Sequence, residues 1–259
     1  MARAAMFLYS LGAYGLFLGV FLYLVAFVGN VYVPRSIDVG PAADPLRAFA
    51  IDLGLIALFG LQHSVMARPA FKRWVTQWLP APVERSTFVL AGSLVLALLF
   101  WQWRPIPAIL WHAEGGVAWL LWGVFALGWA TVLLSTFLIN HFDLFGLRQS
   151  WMNLRGRPLK PLVFRTTLLY RLVRHPIMLG FLLAFWFTPS MSAGHLLFAI
   201  GMTGYILVGV HCEERDLVRS LGQEYVDYRR TTPAFVPGLP GASADLPVRP
   251  DRSPVHAGR

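Results

Sequence analysis

Four long stretches of the chain contain no Asp, Glu, Lys or Arg, and this absence constrains the fold more than any other feature. They cover residues 6–33, 86–103, 115–142 and 176–212. A helix needs about 20 apolar residues to cross about 30 Å of hydrocarbon, and backbone amides in lipid must be paired within their own segment. These stretches therefore predict membrane-spanning helices. A further span is expected over residues 48–66, where Asp52 is the one acidic or basic residue.

The composition agrees with an all-α, polytopic integral membrane bundle. Charged residues make up 14% of the chain, against about a quarter in soluble domains. Residues 1–237 are expected to form a single domain with spans at about 6–30, 48–66, 86–103 and 115–142. The first span is expected to be retained, since no small-residue cleavage site of a signal peptide follows it.

The last apolar stretch is too long for one ordinary span. Turn residues interrupt it between Thr188 and Gly194, which predicts a helical hairpin over residues 176–211. The bundle then has six transmembrane helices, or five if the hairpin packs as one broken element. A charged amphipathic helix is expected over residues 213–230, followed by a proline-rich disordered tail over residues 238–259.

The charge distribution predicts the orientation. Basic residues concentrate in the connections at residues 68–85 and 143–175, and such loops mark the cytoplasmic side. Both termini are then cytoplasmic. The net charge of +9 needs no nucleic acid to explain it, because the basic residues lie in loops between spans. The bilayer is the expected partner, and the sequence indicates no obligate protein partner.

Four polar clusters fall at the cytoplasmic ends of these spans, and we expect them to surround one cavity. Ionisable groups at the edge of hydrocarbon are costly and usually face a cavity or a partner. Proline at the first turn of a helix leaves nearby amides free to bind an anion such as a carboxylate. The clusters are Gln62-His63-Ser64, Asn140-His141-Phe142-Asp143, Arg174-His175-Pro176 and His211-Cys212-Glu213-Glu214.

Two of these clusters carry a family resemblance. The motif from Arg174 to Gly180, the hairpin, and the later Glu213-Glu214, Tyr225 and Tyr228 resemble the C-terminal half of isoprenylcysteine carboxyl methyltransferases and their relatives. The clusters containing His63 and Asp143 make the chain more similar to the bacterial NnrU-related branch. The resemblance spans residues 8–237.

The resemblance implies S-adenosylmethionine as the methyl donor, bound at the cytoplasmic side of a bacterial inner membrane. A small thiol is the acceptor that the branch implies. Met178 stands where the carboxyl methyltransferases usually carry Tyr, so a hydroxyl contact there is lost. By resemblance, the cofactor-binding residues are Arg174, His175, Pro176, Met178, Gly180, Glu213 and Glu214.

A thiol must lose its proton before it accepts a methyl group, so a base is expected. His63 with Asp143 is the leading pair, because both lie at the cytoplasmic ends of spans and an imidazole oriented by a carboxylate makes a base. His141 and His211 are further catalytic candidates. No metal-binding spacing such as HExxH occurs, so no metal site is predicted.

Other functions remain open from the sequence. The histidines and carboxylates at one face would suit a membrane metalloenzyme. The acceptor could instead be an isoprenylcysteine carboxylate, or the chain could be a non-enzymatic accessory protein. A transporter should carry charges near the membrane midplane, where only Asp52 comes close.

Overall fold

The protein is a helical bundle with one small sheet, seen in a computed structural model that describes residues 1–159 and 166–238. Nearly all of the predicted tail, from residue 239 onward, lies outside the described residues. The elements are α1 (Ala2–Gly29), α2 (Pro45–Ala67), α3 (Pro69–Val75), α4 (Ala81–Gln102), β1 (Ile109–His112), α5 (Gly115–Ile139), α6 (His141–Leu144), α7 (Leu147–Leu154), α8 (Leu169–Leu172), α9 (Pro176–Trp186), β2 (Ser190–Ser192), α10 (Ala193–Leu221) and α11 (Gln223–Thr231).

Five described helices are long and apolar enough to cross a membrane, namely α1, α2, α4, α5 and α10. This confirms the polytopic helical membrane fold. The sixth predicted helix, α9, has 11 residues and is therefore about 16 Å long, roughly half of the hydrocarbon thickness.

Irregular backbone and the short strand β2 continue the arm that α9 begins. Residues 187–189 are irregular, with a bend at Pro189, and lead through β2 into α10. Because β2 pairs with β1, which lies between α4 and α5, this arm reaches the far end of the bundle. The hairpin is thus present, but its first arm is helical only over α9. Non-helical backbone at this depth must be covered by protein, and Thr188 and Met191 are indeed buried.

The sheet is the one element type that the sequence analysis did not predict. β1 and β2 pair antiparallel, with Ile109 opposite Ser192 and His112 opposite Ser190. Strands of four and three residues are too short to show a period of two. They form because the hairpin tip meets the connection between α4 and α5.

Two predicted boundaries need correction. α10 continues without a break to Leu221, so the cytoplasmic helix does not begin at residue 213. The break comes at Gly222, which has φ +61°, and α11 follows it. α4 starts at Ala81 rather than at residue 86. Proline is favoured in the first turn of a helix, where Pro82 lies, and the negative charge of Glu84 in the same turn interacts favourably with the helix dipole.

The closest helix pair is α5 with α9, and two glycines make it possible. A Cβ on Gly180 would lie 2.6 Å from the Gly128 carbonyl oxygen, and one on Gly128 would lie 2.7 Å from the Gly180 carbonyl oxygen. Small residues let membrane helices approach at backbone distance. This contact fixes the start of α9 against α5 and so positions the polar residues that precede it.

The bundle has two distinct ends. The sheet end carries β1 and β2. The opposite end, which we call the site end, carries the last residues of α2, α5 and α10 and the first residues of α4 and α9. All four predicted polar clusters lie toward the site end.

Candidate active site

A buried ion pair between Arg174 and Glu214 forms the centre of the site end. Arg174 donates from Nε to Glu214 Oε1 at 2.8 Å, and its Nη2 lies 2.7 Å from the same oxygen. The two side chains are 4% and 13% exposed. A charge removed from water this far must be paired and hydrogen-bonded, which is why these residues occur together.

His175 and Glu213 extend this pair. His175 Nε2 lies 3.0 Å from Glu214 Oε1, and its Nδ1 lies 3.8 Å from Glu213 Oε2. Glu214 is buried whereas the Glu213 side chain is 51% exposed. The structure therefore brings together four of the predicted cofactor-binding residues, and leaves one carboxylate accessible.

The chain after α11 closes over the ion pair. The backbone amides of Arg174 and His175 donate to the carbonyls of Pro233 and Ala234 at 2.8 and 3.1 Å. The Arg174 guanidinium also donates to the carbonyls of Arg229 and Thr232. Arg174 is thus held on several sides, so its orientation is fixed by the fold and does not depend on a ligand.

Tyrosines line the same region. Tyr228 donates to the Tyr170 carbonyl oxygen at 2.5 Å. Burial raises the pKa of Tyr228 to about 12, and burial likewise raises the pKa of Tyr225 and of Tyr170. Tyr170 donates in turn to the Ser135 carbonyl oxygen at 3.5 Å, and all three phenols stay protonated at neutral pH.

The start of α9 offers unpaired backbone amides. Pro176 occupies the first turn, and no side chain caps this end of the helix. The first amides of a helix have no intrahelical partner and attract anions. Met178, two residues further on, packs against the hydrophobic core.

Gly180 has a packing role that accounts for a glycine at this position. It is buried, and the missing Cβ points at α5. Its assignment to the cofactor pocket stays a prediction, and the structure provides a different physical reason for the residue.

His141 is held by two hydroxyl groups. Tyr14 Oη lies 2.7 Å from Nε2, and Thr136 Oγ1 lies 2.8 Å from Nδ1. Its ring also stacks on Phe137 at 4.3 Å. Burial lowers the pKa of His141. Both ring nitrogens are engaged, so the geometry favours a structural role over that of a free base.

The structure does not bring Asp143 to His63. Asp143 pairs with Arg148 at 2.7 Å, and within residues 1–159 and 166–238 no hydrogen bond joins it to His63. Its backbone amide donates to Asn140 Oδ1, which caps α6. His211 is exposed on α10, and in the described part of the chain no hydrogen bond or ion pair joins it to Arg174 or Glu214. The proposed carboxylate–imidazole pair therefore has no contact to support it.

His63 lies instead among aromatic rings inside the bundle. Its ring is 4.6 Å from that of Phe88, 5.6 Å from Phe59 and 5.8 Å from Tyr205. Its Nδ1 atom is buried and has no hydrogen-bond partner in the described part of the chain.

Sequence reasoning missed Arg229 and Arg85. Arg229 Nη1 lies 3.9 Å from Glu214 Oε2, although its helix looks like a solvated surface helix. Arg85 lies over the Phe88 ring at 4.9 Å and donates to the Leu144 carbonyl, although it looks like a loop charge. No sequence pattern indicated either contact. The folding of α11 brings Arg229 to Glu214, and the early start of α4 places Arg85 over Phe88. Among the described residues no group of three His, Cys, Asp or Glu could hold a metal ion.

The fold and these contacts define a polytopic helical membrane protein with a buried ionic cluster at one end. The chain is 56% identical over 238 residues to methanethiol S-methyltransferase 2 of Bradyrhizobium diazoefficiens, covering 92% of each chain. It is 54% identical over 240 residues to methanethiol S-methyltransferase of Mycobacterium tuberculosis, covering 92% of this chain and 98% of that one. Nurim of Sus scrofa is 29% identical over 66% of this chain.

The chain belongs to the methanethiol S-methyltransferase family. This confirms the resemblance inferred from the motifs and identifies the family as one of enzymes. No family model and no solved structure matches the chain.

Proposed function

We propose that the chain transfers a methyl group from S-adenosylmethionine to methanethiol, giving dimethyl sulfide, at the cytoplasmic face of a bacterial inner membrane. The observation that carries this proposal is 56% and 54% identity, over 92% of the chain, to relatives named for methanethiol S-methylation. The geometry of the site end supports it.

The residues present suit S-adenosylmethionine, whose amino-acid part carries a carboxylate and an ammonium group. The uncapped amides of α9 suit the carboxylate. The accessible carboxylate of Glu213 suits the ammonium group. Glu214 is already engaged with Arg174 and His175, so it orients the pocket and leaves Glu213 to contact the ligand.

When bound, the cofactor supplies an electrophilic methyl group on a positively charged sulfur. The chain holds the cofactor, orients a thiol and excludes water. A thiolate and a sulfonium become two neutral products, so a pocket of low polarity favours the reaction. The apolar ends of α2, α4 and α10 around His63 provide such surroundings.

The direct test is to purify the protein in detergent, add S-adenosylmethionine and methanethiol, and measure dimethyl sulfide in the headspace. We expect product with the wild-type chain. In Glu213→Gln we expect cofactor affinity, measured by calorimetry, to fall by about tenfold or more, because a charge-assisted hydrogen bond of about 1.5–3 kcal/mol is lost.

Glu224→Gln is the matched control, since Glu224 is an exposed carboxylate on α11 and should leave both readouts unchanged. No dimethyl sulfide from a folded wild-type protein would refute the reaction. Unaltered cofactor affinity in Glu213→Gln, with product formed, would refute the pocket and retain the reaction.

A further inference from the structure

We propose that the cavity at the sheet end binds a small primary ammonium group, with the Asp38 carboxylate as its partner, and that the ethanolamine headgroup of a membrane phospholipid supplies this group. The cavity lies at the opposite end of the bundle from the Arg174–Glu214 cluster. The inference therefore goes beyond the proposed function and does not depend on it.

The first observation is the cavity itself, which has a volume of about 300 Å³. It is lined by the end of α1 and the residues that follow it, by the end of β1, by the first turns of α5, and by the chain between α9 and α10. Ligand pockets in proteins measure about 300–1,000 Å³. This volume is at the lower limit of that range, so it suits a small molecule or a lipid headgroup.

The second observation is the charge of the lining. Among the described residues, Asp38 is the one acidic residue that lines the cavity, and no Lys or Arg lines it. One carboxylate oxygen, Oδ1, accepts a hydrogen bond from Ser192. In the described part of the chain Oδ2 accepts none, and Asp38 forms no ion pair. Ionisable groups near the edge of hydrocarbon usually face a cavity or a partner, so the partner that suits this carboxylate is a cation.

The neighbours of Asp38 in the lining also suit an ammonium group. His195 Nε2 lies 3.0 Å from the Phe185 carbonyl oxygen, so this nitrogen carries the hydrogen, and Nδ1 of the neutral ring is an acceptor. The charge of Asp38 acts on the His195 ring, so the two side chains are close. Trp122 lines the cavity as well, and the face of an indole ring attracts cations. A primary ammonium group has three N–H donors, which match acceptors of this kind.

The place of the cavity in the membrane indicates a lipid headgroup as the source of the ammonium group. Val28 and Gly29, which line the cavity, are the last residues of α1, and Ala118 and Trp122 lie in the first turns of α5. Both helices are long enough to cross a membrane, so these ends lie near the level of the headgroups. Trp119, beside Ala118, is exposed, as is typical of tryptophan at the membrane interface.

The exposure of the lining residues orients the headgroup. The His112 side chain is 60% exposed, whereas His195 is 1% exposed. The ammonium group of ethanolamine therefore enters toward Asp38 and His195, and the phosphate stays near His112 at the exposed rim. A glycerol headgroup has no ammonium group, so phosphatidylglycerol should not occupy the cavity in this way.

The experiment measures binding by native mass spectrometry to the full chain, purified in detergent and freed of lipid. The probes are phosphatidylethanolamine and phosphatidylglycerol with identical acyl chains, and free ethanolamine. We expect the wild type to bind phosphatidylethanolamine in preference to phosphatidylglycerol. In Asp38→Asn the Kd for phosphatidylethanolamine should rise by about tenfold or more, because a charge-assisted hydrogen bond is lost. Asparagine keeps an oxygen that can accept from Ser192, so the fold should be retained.

Glu114→Gln is the matched control, because Glu114 is an exposed carboxylate at the same end of the bundle and does not line the cavity. It should leave the Kd unchanged. Ala118→Leu is a second variant, which fills the cavity without changing its charge and should weaken binding of the same lipid. It decides the outcome if Asp38→Asn does not fold.

The two sources of an ammonium group give different results. Binding of free ethanolamine that is lost in Asp38→Asn, without preference between the two lipids, would support the ammonium site and refute the lipid as its source. Failure of the folded wild type to bind either ammonium probe would overturn the proposal. Equal binding of phosphatidylethanolamine and ethanolamine in the wild type and in both cavity variants would overturn it as well.

Discussion

At the scale of single residues, His141 differs from the other predicted catalytic histidines because its environment is complete. Tyr14 and Thr136 engage both ring nitrogens, and four neighbouring aromatic rings cover it. A residue so enclosed stabilises the fold in its neutral form. Replacing His141 should therefore affect activity only by lowering the stability of the folded protein.

This leads to a prediction about pH. Burial lowers the pKa of His141 below the usual 6.5, so the unfolded chain binds more protons than the folded one once the pH falls below that value. Stability should then fall as the pH drops below about 6.5 and be constant above it, as far as this group is concerned. Thermal unfolding in detergent at pH 5 and 7.5 measures the difference.

The control is His141→Gln, which keeps an amide able to hydrogen-bond but cannot titrate. It should lower the unfolding temperature at pH 7.5, since about 1–3 kcal/mol is lost with imperfect pairing. The variant should also show a smaller change in unfolding temperature between pH 7.5 and pH 5 than the wild type. An unaltered pH dependence in the variant would assign the effect to other groups.

At the scale of elements, the contact between α5 and α9 decides where the ion pair lies. Arg174 and His175 come directly before α9, and α9 is positioned by the approach of Gly180 to Gly128. A change in this packing should therefore move Arg174 and His175, although neither glycine belongs to the ionic cluster.

We predict that Gly180→Ala destabilises the protein and weakens cofactor binding together. The added Cβ would lie 2.6 Å from the Gly128 carbonyl oxygen and 2.8 Å from Val132, so the helices must separate. Overpacking of this kind costs about 1–3 kcal/mol. Thermal unfolding and calorimetry with S-adenosylmethionine measure the two effects.

Gly123→Ala is the control for this prediction, since it places the same change on α5 where a Cβ meets nothing within 4 Å. It should leave both measurements unchanged. If Gly180→Ala kept its stability but lost the cofactor, Gly180 would be a cofactor contact, as the motif implies, and the packing role would be secondary.

The elements also show what the sequence could predict. The four charge-free runs and the apolar stretch around Asp52 located the five long helices of the described chain, because a segment that crosses lipid must consist mainly of apolar residues. The motifs located Arg174, His175, Glu213 and Glu214, and the structure brings these four together. The turn residues after Phe187 indicated a break, but the sequence could not predict that the residues beyond it pair as a strand, because β2 forms only against β1.

Contacts between distant elements were the other limit. The pairing of His63 with Asp143 was a plausible inference from shared depth, but depth does not determine which way a side chain faces around a helix. Asp143 faces Arg148, and His63 faces Phe88 and Tyr205.

At the scale of the whole molecule, the crossings place both described ends of the chain at the site end. Arg3, at the start of α1, lies near Gly156, and Phe235, which follows α11, packs near His175. The α9 arm and α10 together make two crossings, so four long helices and this hairpin return the chain to the end where it began. The structure shows that the chain passes between the two ends of the bundle an even number of times. The charges predict which of the two ends faces the cytoplasm.

The last prediction is that the site end faces the cytoplasm. Arg68, Lys72 and Arg73 lie between α2 and α4, and Arg85 lies near the start of α4, whereas Arg104 and Glu114 balance each other at the sheet end. Lys and Arg near the ends of spans set orientation. Green fluorescent protein fused after Arg259 should fluoresce, and alkaline phosphatase fused after Pro107, at the sheet end, should be active.

The alkaline phosphatase fusion has a matched partner at the other end of the bundle. Alkaline phosphatase fused after Gln77, which follows α3 at the site end, should be inactive because the enzyme needs an oxidising compartment. The reverse pattern would place the ionic cluster outside the cytoplasm. The methyl donor that we propose would then have to reach the cluster from outside the cytoplasm, so this measurement tests the orientation and, through it, the proposed function.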